Sequence, residues 1–195
     1  MLIAWRCGAQ PLDEDTTTRQ PLIVSKKFKS RFYVGTEAIC GQILRNRVAM
    51  LTGWNLNWVI NHRFVVSARY HILSSRLNIS HITQPGSTDV KHYLKHHYAG
   101  LSFGYLVFHD SYISLHPELS GGWALARFED TGAQIRQNHY GMLIPAIHVV
   151  CNVSSIFRVG AGVNYRLAIG REFRNIRPTH LGGASGMLFI RIGTF

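Results

Sequence analysis

Acidic residues are scarce in this chain. There are 10 Asp and Glu against 21 Lys and Arg, a formal net charge of +11. Charged residues of both signs make up only 16% of it, against roughly 25% for an ordinary soluble protein. No stretch reaches 18 consecutive apolar residues, so no transmembrane helix is encoded. That absence leaves membrane strands open, because alternating strands escape a hydropathy window. No window sustains apolar residues at i, i+3 and i+4, which excludes substantial helix. Cysteine is limited to Cys7, Cys40 and Cys151. Cys7 follows Arg6, unlike a lipoprotein acylation site, and the other two are far apart with no metal-ligand spacing. The basic charge comes without a basic helix, an RNP motif or a zinc finger. Nucleic acid is therefore not expected as a partner; an anionic lipid surface, or the shortage of acids itself, accounts for the charge.

What the chain does have is glycine, aromatics and alternation. There are 18 Gly, 10 Phe, 8 Tyr and 4 Trp. In 157–170 every odd position is apolar: Phe157, Val159, Ala161, Val163, Tyr165, Leu167 and Ile169. A period of two makes a strand with one apolar and one polar face. Seven further segments read the same way: 31–43, 48–60, 63–74, 92–108, 112–126, 139–153 and 185–195. Each reaches the roughly 9–11 residues that a tilted spanning strand needs. The links Asn61-His62, His109-Asp110-Ser111 and Ser154-Ser155 are tight turns. Links at the opposite end are mostly long: 75–91, 127–138 and 171–184, with 44–47 the short exception. An even strand count with short turns at one end and long loops at the other predicts an all-β, eight-stranded, antiparallel up-and-down transmembrane barrel. The short turns and both termini then lie on the periplasmic side.

The length suits one domain. Residues 1–30 read as a residual signal or leader, with Met1 to Gln10 resembling the tail of a secretory signal peptide. The barrel occupies 31–195. Pro117 and Pro145 fall inside strands, where proline removes a ladder donor, and bulges are expected at both. Eight strands enclose a lumen that side chains just fill, and charges enclosed there must be paired. The polar face carries Glu37, Arg69, His116, Glu118, Arg158, Arg166 and Arg191. These residues predict an inner Arg–Glu network that closes the lumen. Trp54, Trp58, Tyr70, Phe103, Tyr105, Trp123, Phe157 and Tyr165 share the apolar face and predict interfacial girdles.

Several stretches resemble the small outer-membrane β-barrel proteins of Bacteroidetes-type bacteria, a porin-like family. They are Trp58-Val59-Ile60-Asn61-His62-Arg63-Phe64, Tyr98-Ala99-Gly100-Leu101-Ser102-Phe103-Gly104-Tyr105, Leu115-His116-Pro117-Glu118-Leu119-Ser120, the 157–166 strand and the glycine-rich 181–186 segment. The resemblance implies a cell outer membrane location, no catalytic residues and no cofactor. It also implies that Phe195 is a terminal signal to the barrel-assembly machinery. The sequence departs from the family at Ile144-Pro145, where an acid is expected before the proline.

Candidate chemistry is limited. Ser114, His116, Glu118 and Ser120 share one strand face and could form a Ser/His/acid site; lumen-filling polar residues are the simpler reading. His92 and His96 share a face while His97 points away, so no metal site is predicted there. Lys91, Lys95, Arg171, Arg174 and Arg177 gather at the outer end and could contact lipopolysaccharide phosphates. The expected function is a non-enzymatic outer-membrane barrel with a structural, surface-binding or accessory role, in contact with lipid, its protein partner unspecified. A lipid A-modifying enzyme on the same barrel and a soluble ligand-carrying barrel with an apolar interior are the alternatives.

Overall fold

The computed structural model describes residues 30–43, 47–75, 77–78, 92–108, 111–130, 136–170 and 178–194. The strands are β1 (Ser30–Ile43), β2 (Arg47–Ile60), β3 (Phe64–Leu73), β4 (Leu77–Asn78), β5 (His92–Tyr105), β6 (Ile113–Asp130), β7 (Arg136–Asn152), β8 (Phe157–Ile169) and β9 (Gly183–Gly193). A 3₁₀ turn, η1 (Pro178–Leu181), precedes β9. Each long strand pairs antiparallel with its chain neighbours, β3 pairs with β5, and β1 pairs with β9. The short β4 continues along β5 beyond the end of β3. The result is a closed eight-stranded meander barrel. Closure leaves no unpaired edge, which a membrane requires because lipid offers the backbone no hydrogen bonds.

The β2–β3 turn shows how the sequence ends a hairpin. Asn61 and His62 take positive φ, 51° and 61°, and Arg63 N–H donates to the Ile60 carbonyl at 3.2 Å. Two left-handed residues make the primed turn whose twist suits paired strands, and asparagine tolerates that conformation better than most residues.

Alternation along every strand separates the two faces. Val163, Leu167, Leu188, Ile190 and Ile192 are exposed on the outer wall, while Arg166, Arg191 and Asn164 are buried within. This is the reverse of a soluble carrier with an apolar interior, and that alternative is excluded. The outer wall is a continuous apolar belt, as in a barrel that meets lipid. At the end carrying the tight turns, Phe32 stacks on Trp58 with centroids 5.9 Å apart, and Phe64 meets Tyr105 edge-on at 5.3 Å. Trp54 and Tyr70 pair farther along the wall with centroids 5.8 Å apart, and Trp123 is exposed there too, so the expected aromatics are distributed along the wall as well as at the turn end.

The prolines do not make bulges. Gly104 faces Glu118 and Val107 faces Leu115, the same register on either side of Pro117. Val107 and Leu115 exchange both backbone hydrogen bonds, so the Leu115 N–H points toward β5. By the period of two, the missing donor of Pro117 faces the same way. Likewise Leu143 faces Leu167 and Ala146 faces Asn164, one register, with pairing interrupted only at Ile144 and Pro145. Each proline therefore removes one ladder bond to one neighbour while the other neighbour holds the strand straight. Pro117 and Pro145 both sit on the outer wall, where the ring displaces nothing in the lumen.

An arginine at the midpoint of the outer wall should be costly. Val163→Arg is expected to destabilise the barrel by about 2–4 kcal/mol, read as a lower urea midpoint for folding into lipid vesicles.

Candidate functional site: the charged centre of the lumen

The lumen is filled in layers. Toward the loop end it is apolar: Ile43, Leu94, Tyr98, Tyr140, Met142 and Ile144 pack together, with Leu181 of η1 against them. At the turn end Tyr33, Val59, Val65 and Leu106 form a second cluster. Ile144 belongs to the first cluster, so the position where an acid was expected carries a packing residue instead.

Between these caps lies a charged centre. Arg69 of β3 reaches across the lumen to Glu118 of β6, with Nη2 2.8 Å from Oε2, and its Nη1 is 3.8 Å from Glu37 Oε2. His71 Nε2 bonds the other oxygen of Glu37, and Ser120 Oγ donates to Glu118 Oε1 at 3.0 Å. The side chains of Arg69, Glu37 and Glu118 are almost wholly removed from solvent. Buried carboxylates persist only where cations and donors surround them, and here one guanidinium serves both. Strand parity puts all of these groups inside; barrel closure brings β1, β3 and β6 face to face.

His116 and His148 complete the centre. They are directly opposed in the β6–β7 ladder, both fully buried, with ring centroids 5.3 Å apart. Their Nδ1 atoms lie 3.8 and 3.9 Å from Glu118 Oε2.

The other expected network members lie elsewhere. Arg191, although 1% exposed, is held by rings rather than by an acid: its guanidinium carbon is 4.2 Å from the Phe189 centroid and 5.3 Å from that of Tyr33, a cation–π arrangement. Arg166 donates to the Gln42 carbonyl at 2.6 Å near the loop end. Arg158 is half-buried toward the turn end. The lumen is thus one Arg–Glu–His centre with separate arginine anchors above and below it. Ser114 is buried, and its hydroxyl makes no hydrogen bond to His116 among the described residues. The histidines at the start of β5 part as expected: His96 is buried inside, and His97 faces out and bonds the Tyr70 hydroxyl at 2.9 Å. Lys95 lies exposed on the outside, opposite Arg127. Lys91, Arg171, Arg174, Arg177, Phe195 and the 1–29 leader lie outside the described residues.

The period of two also puts His71 and His148 on the polar faces of their strands, although no local pattern gives either a role. The usable signal was their parity. The pairing of His148 with His116 depends on the β6–β7 register, which the long loop between those strands hides, and that of His71 with Glu37 on how β1 and β3 line up on either side of β2.

Arg69→Met should leave two buried acids without their shared cation, destabilising the barrel by about 3–5 kcal/mol. Urea titration of Arg69→Met, Glu118→Gln and the double variant should give a double-mutant loss well below the sum of the singles.

No protein-family model and no curated protein sequence matches this chain. Solved structures do match its fold. Neisserial surface protein A aligns with TM-score 0.61 at 12% identity, covering 86% of this chain and 99% of its own. Ail, the attachment invasion locus protein of Yersinia pestis, aligns with TM-score 0.52 at 15% identity, over 85% of this chain and 97% of Ail. Ail has also been crystallised with the heparin analogue sucrose octasulfate. A major outer membrane protein from Thermus thermophilus aligns with TM-score 0.59 at 8% identity, over 85% and 99% of the two chains. At these identities the likeness speaks to the fold. Together with the apolar outer wall and the enclosed charges, it leads to one conclusion: the chain is an eight-stranded outer-membrane β-barrel.

Proposed function

We propose that this barrel is non-enzymatic and non-conducting, with a structural or accessory role at the cell surface, and that its loop end binds anionic groups such as lipopolysaccharide phosphates. The observation that carries this reading is the filled lumen. Apolar clusters at both ends and the Arg69–Glu118–Glu37 centre between them block the path an ion or solute would take through the barrel. The same packing speaks against lipid A modification. Ser114 and His116 are 1% and 0% exposed, inside the wall and away from lipid, and no base lies within hydrogen-bond reach of the Ser114 hydroxyl among the described residues, as a nucleophile requires.

The anion-binding part rests on charge. The net +11 includes Lys95, exposed near the start of β5, and Lys91, Arg171, Arg174 and Arg177 in the sequence segments that connect strands at that end, to which phosphates could make charge-assisted bonds. Ail, on a similar scaffold, accommodates a sulfated sugar. The Bacteroidetes-type affinity and the secretory reading of the leader rest on sequence motifs alone.

In planar bilayers the purified chain should give no steady single-channel steps, and its deletion should leave lipid A masses unchanged. Stepwise conductance would overturn the closed lumen; a lipid A mass shift would overturn the non-enzymatic reading. Binding of labelled lipopolysaccharide should weaken with added salt and fall when the five basic residues are replaced together by alanine. Unaltered binding in that variant removes the surface-binding element.

A further inference from the structure

The centre of the lumen holds a second arrangement that the ion pairs do not explain. Three potential ligand atoms converge: His116 Nδ1, His148 Nδ1 and Glu118 Oε2. The two nitrogens are 3.4 Å apart, and the oxygen is 3.8 and 3.9 Å from them. A point equidistant from the corners of this triangle lies about 2.1 Å from each, within the range zinc keeps to imidazole nitrogen and carboxylate oxygen. All three side chains are buried.

Two further features make this a built site. His116 and His148 are the directly opposed pair of the β6–β7 ladder, and Glu118 is two residues along from His116 on the same face, so the backbone aims the three groups at one point. The wall makes room for the rings: a Cβ on Gly104 would collide with His116, and one on Gly162 with His148. Glu118 is itself oriented by Ser120 and Arg69, as ligating carboxylates usually are by their own hydrogen bonds.

Imidazole protonation is compatible with such an ion: with Nδ1 free to ligate, each ring carries its hydrogen on Nε2, which is buried without an acceptor among the described residues. Neutral imidazole has one N–H and one lone pair. If both Nδ1 atoms present lone pairs, they and the carboxylate turn electron density on one point. A cation relieves that repulsion, whereas a proton shared across 3.4 Å makes a long, weak bond. The guanidinium of Arg69 shares Glu118 Oε2 and lowers the site's net negative charge, but it also contacts Glu37 and so retains an acid when an ion takes the shared oxygen.

We propose that His116, His148 and Glu118 bind one divalent transition-metal ion of the zinc type inside the barrel, tying β6 to β7 and leaving a fourth coordination position. This goes beyond the surface-binding reading and does not depend on it.

The test uses the full chain, refolded from urea into detergent with zinc chloride present, so that the ion enters before the apolar ends close, and freed of excess by gel filtration. Elemental analysis should find about one zinc per chain. His116→Ala and His148→Ala, confirmed as folded by heat-modifiability on gels, should each retain almost none. Zinc absent from the wild type, or retained equally by both folded variants, overturns the proposal. Should both variants fail to fold, cobalt loading of the wild type decides. Intense visible absorption from a four- or five-coordinate ion supports the site, and the faint spectrum of hydrated cobalt overturns it. Lipopolysaccharide binding and bilayer conductance are separate readouts, so failure here leaves the functional reading standing on its own results.

Discussion

Backbone closure is the constraint from which the rest of this structure follows. In lipid, an unpaired N–H or C=O costs several kcal/mol, so β1 must find β9 and β3 must find β5. With eight strands the closed wall encloses a space about one layer of side chains wide. Whatever the sequence places on the inner face must then pack or pair with whatever lies across the lumen. Polar residues that would be commonplace on a solvated sheet become an obligatory network.

That requirement explains the division of labour among the inner cations. Arg69 stands at the level of the two inner acids and takes both. Arg191 and Arg166 lie at other levels, where no acid is within reach among the described residues. Aromatic faces and a backbone carbonyl serve them instead. A guanidinium suits all three environments because it is planar, weakly hydrated and rich in donors. Apolar residues close the lumen toward both ends, so the charged centre lies in a low-dielectric enclosure. Interactions there are strong and unpaired groups costly.

The prolines show how much local irregularity such a wall absorbs. A bulge would have shifted the register and turned every later side chain to the wrong face. In β6 and β7 that would expel Glu118 and His148 from the lumen. Losing one hydrogen bond at each proline is the smaller penalty, and the continuous ladder on the other side of each strand keeps the register.

Strand number, the outward apolar face, the tight Asn61-His62 turn and the inward position of Glu37, Arg69, His116, Glu118, Arg166 and Arg191 were all legible in the sequence, whereas His109 and Asp110 of a second expected turn lie outside the described residues. Each follows from a period of two and from turn chemistry, which are local properties. The pairing of His116 with His148, the reach of Arg69 to Glu118 and the contact of Arg191 with Tyr33 were not legible. They depend on the stagger of strands joined by long loops and on which walls face one another after closure, and no local pattern encodes either. The sequence by itself determined that this chain presents an apolar belt to lipid and a polar face inward. Only the tertiary structure decided which inner groups meet, because contacts across a lumen join residues far apart in the chain.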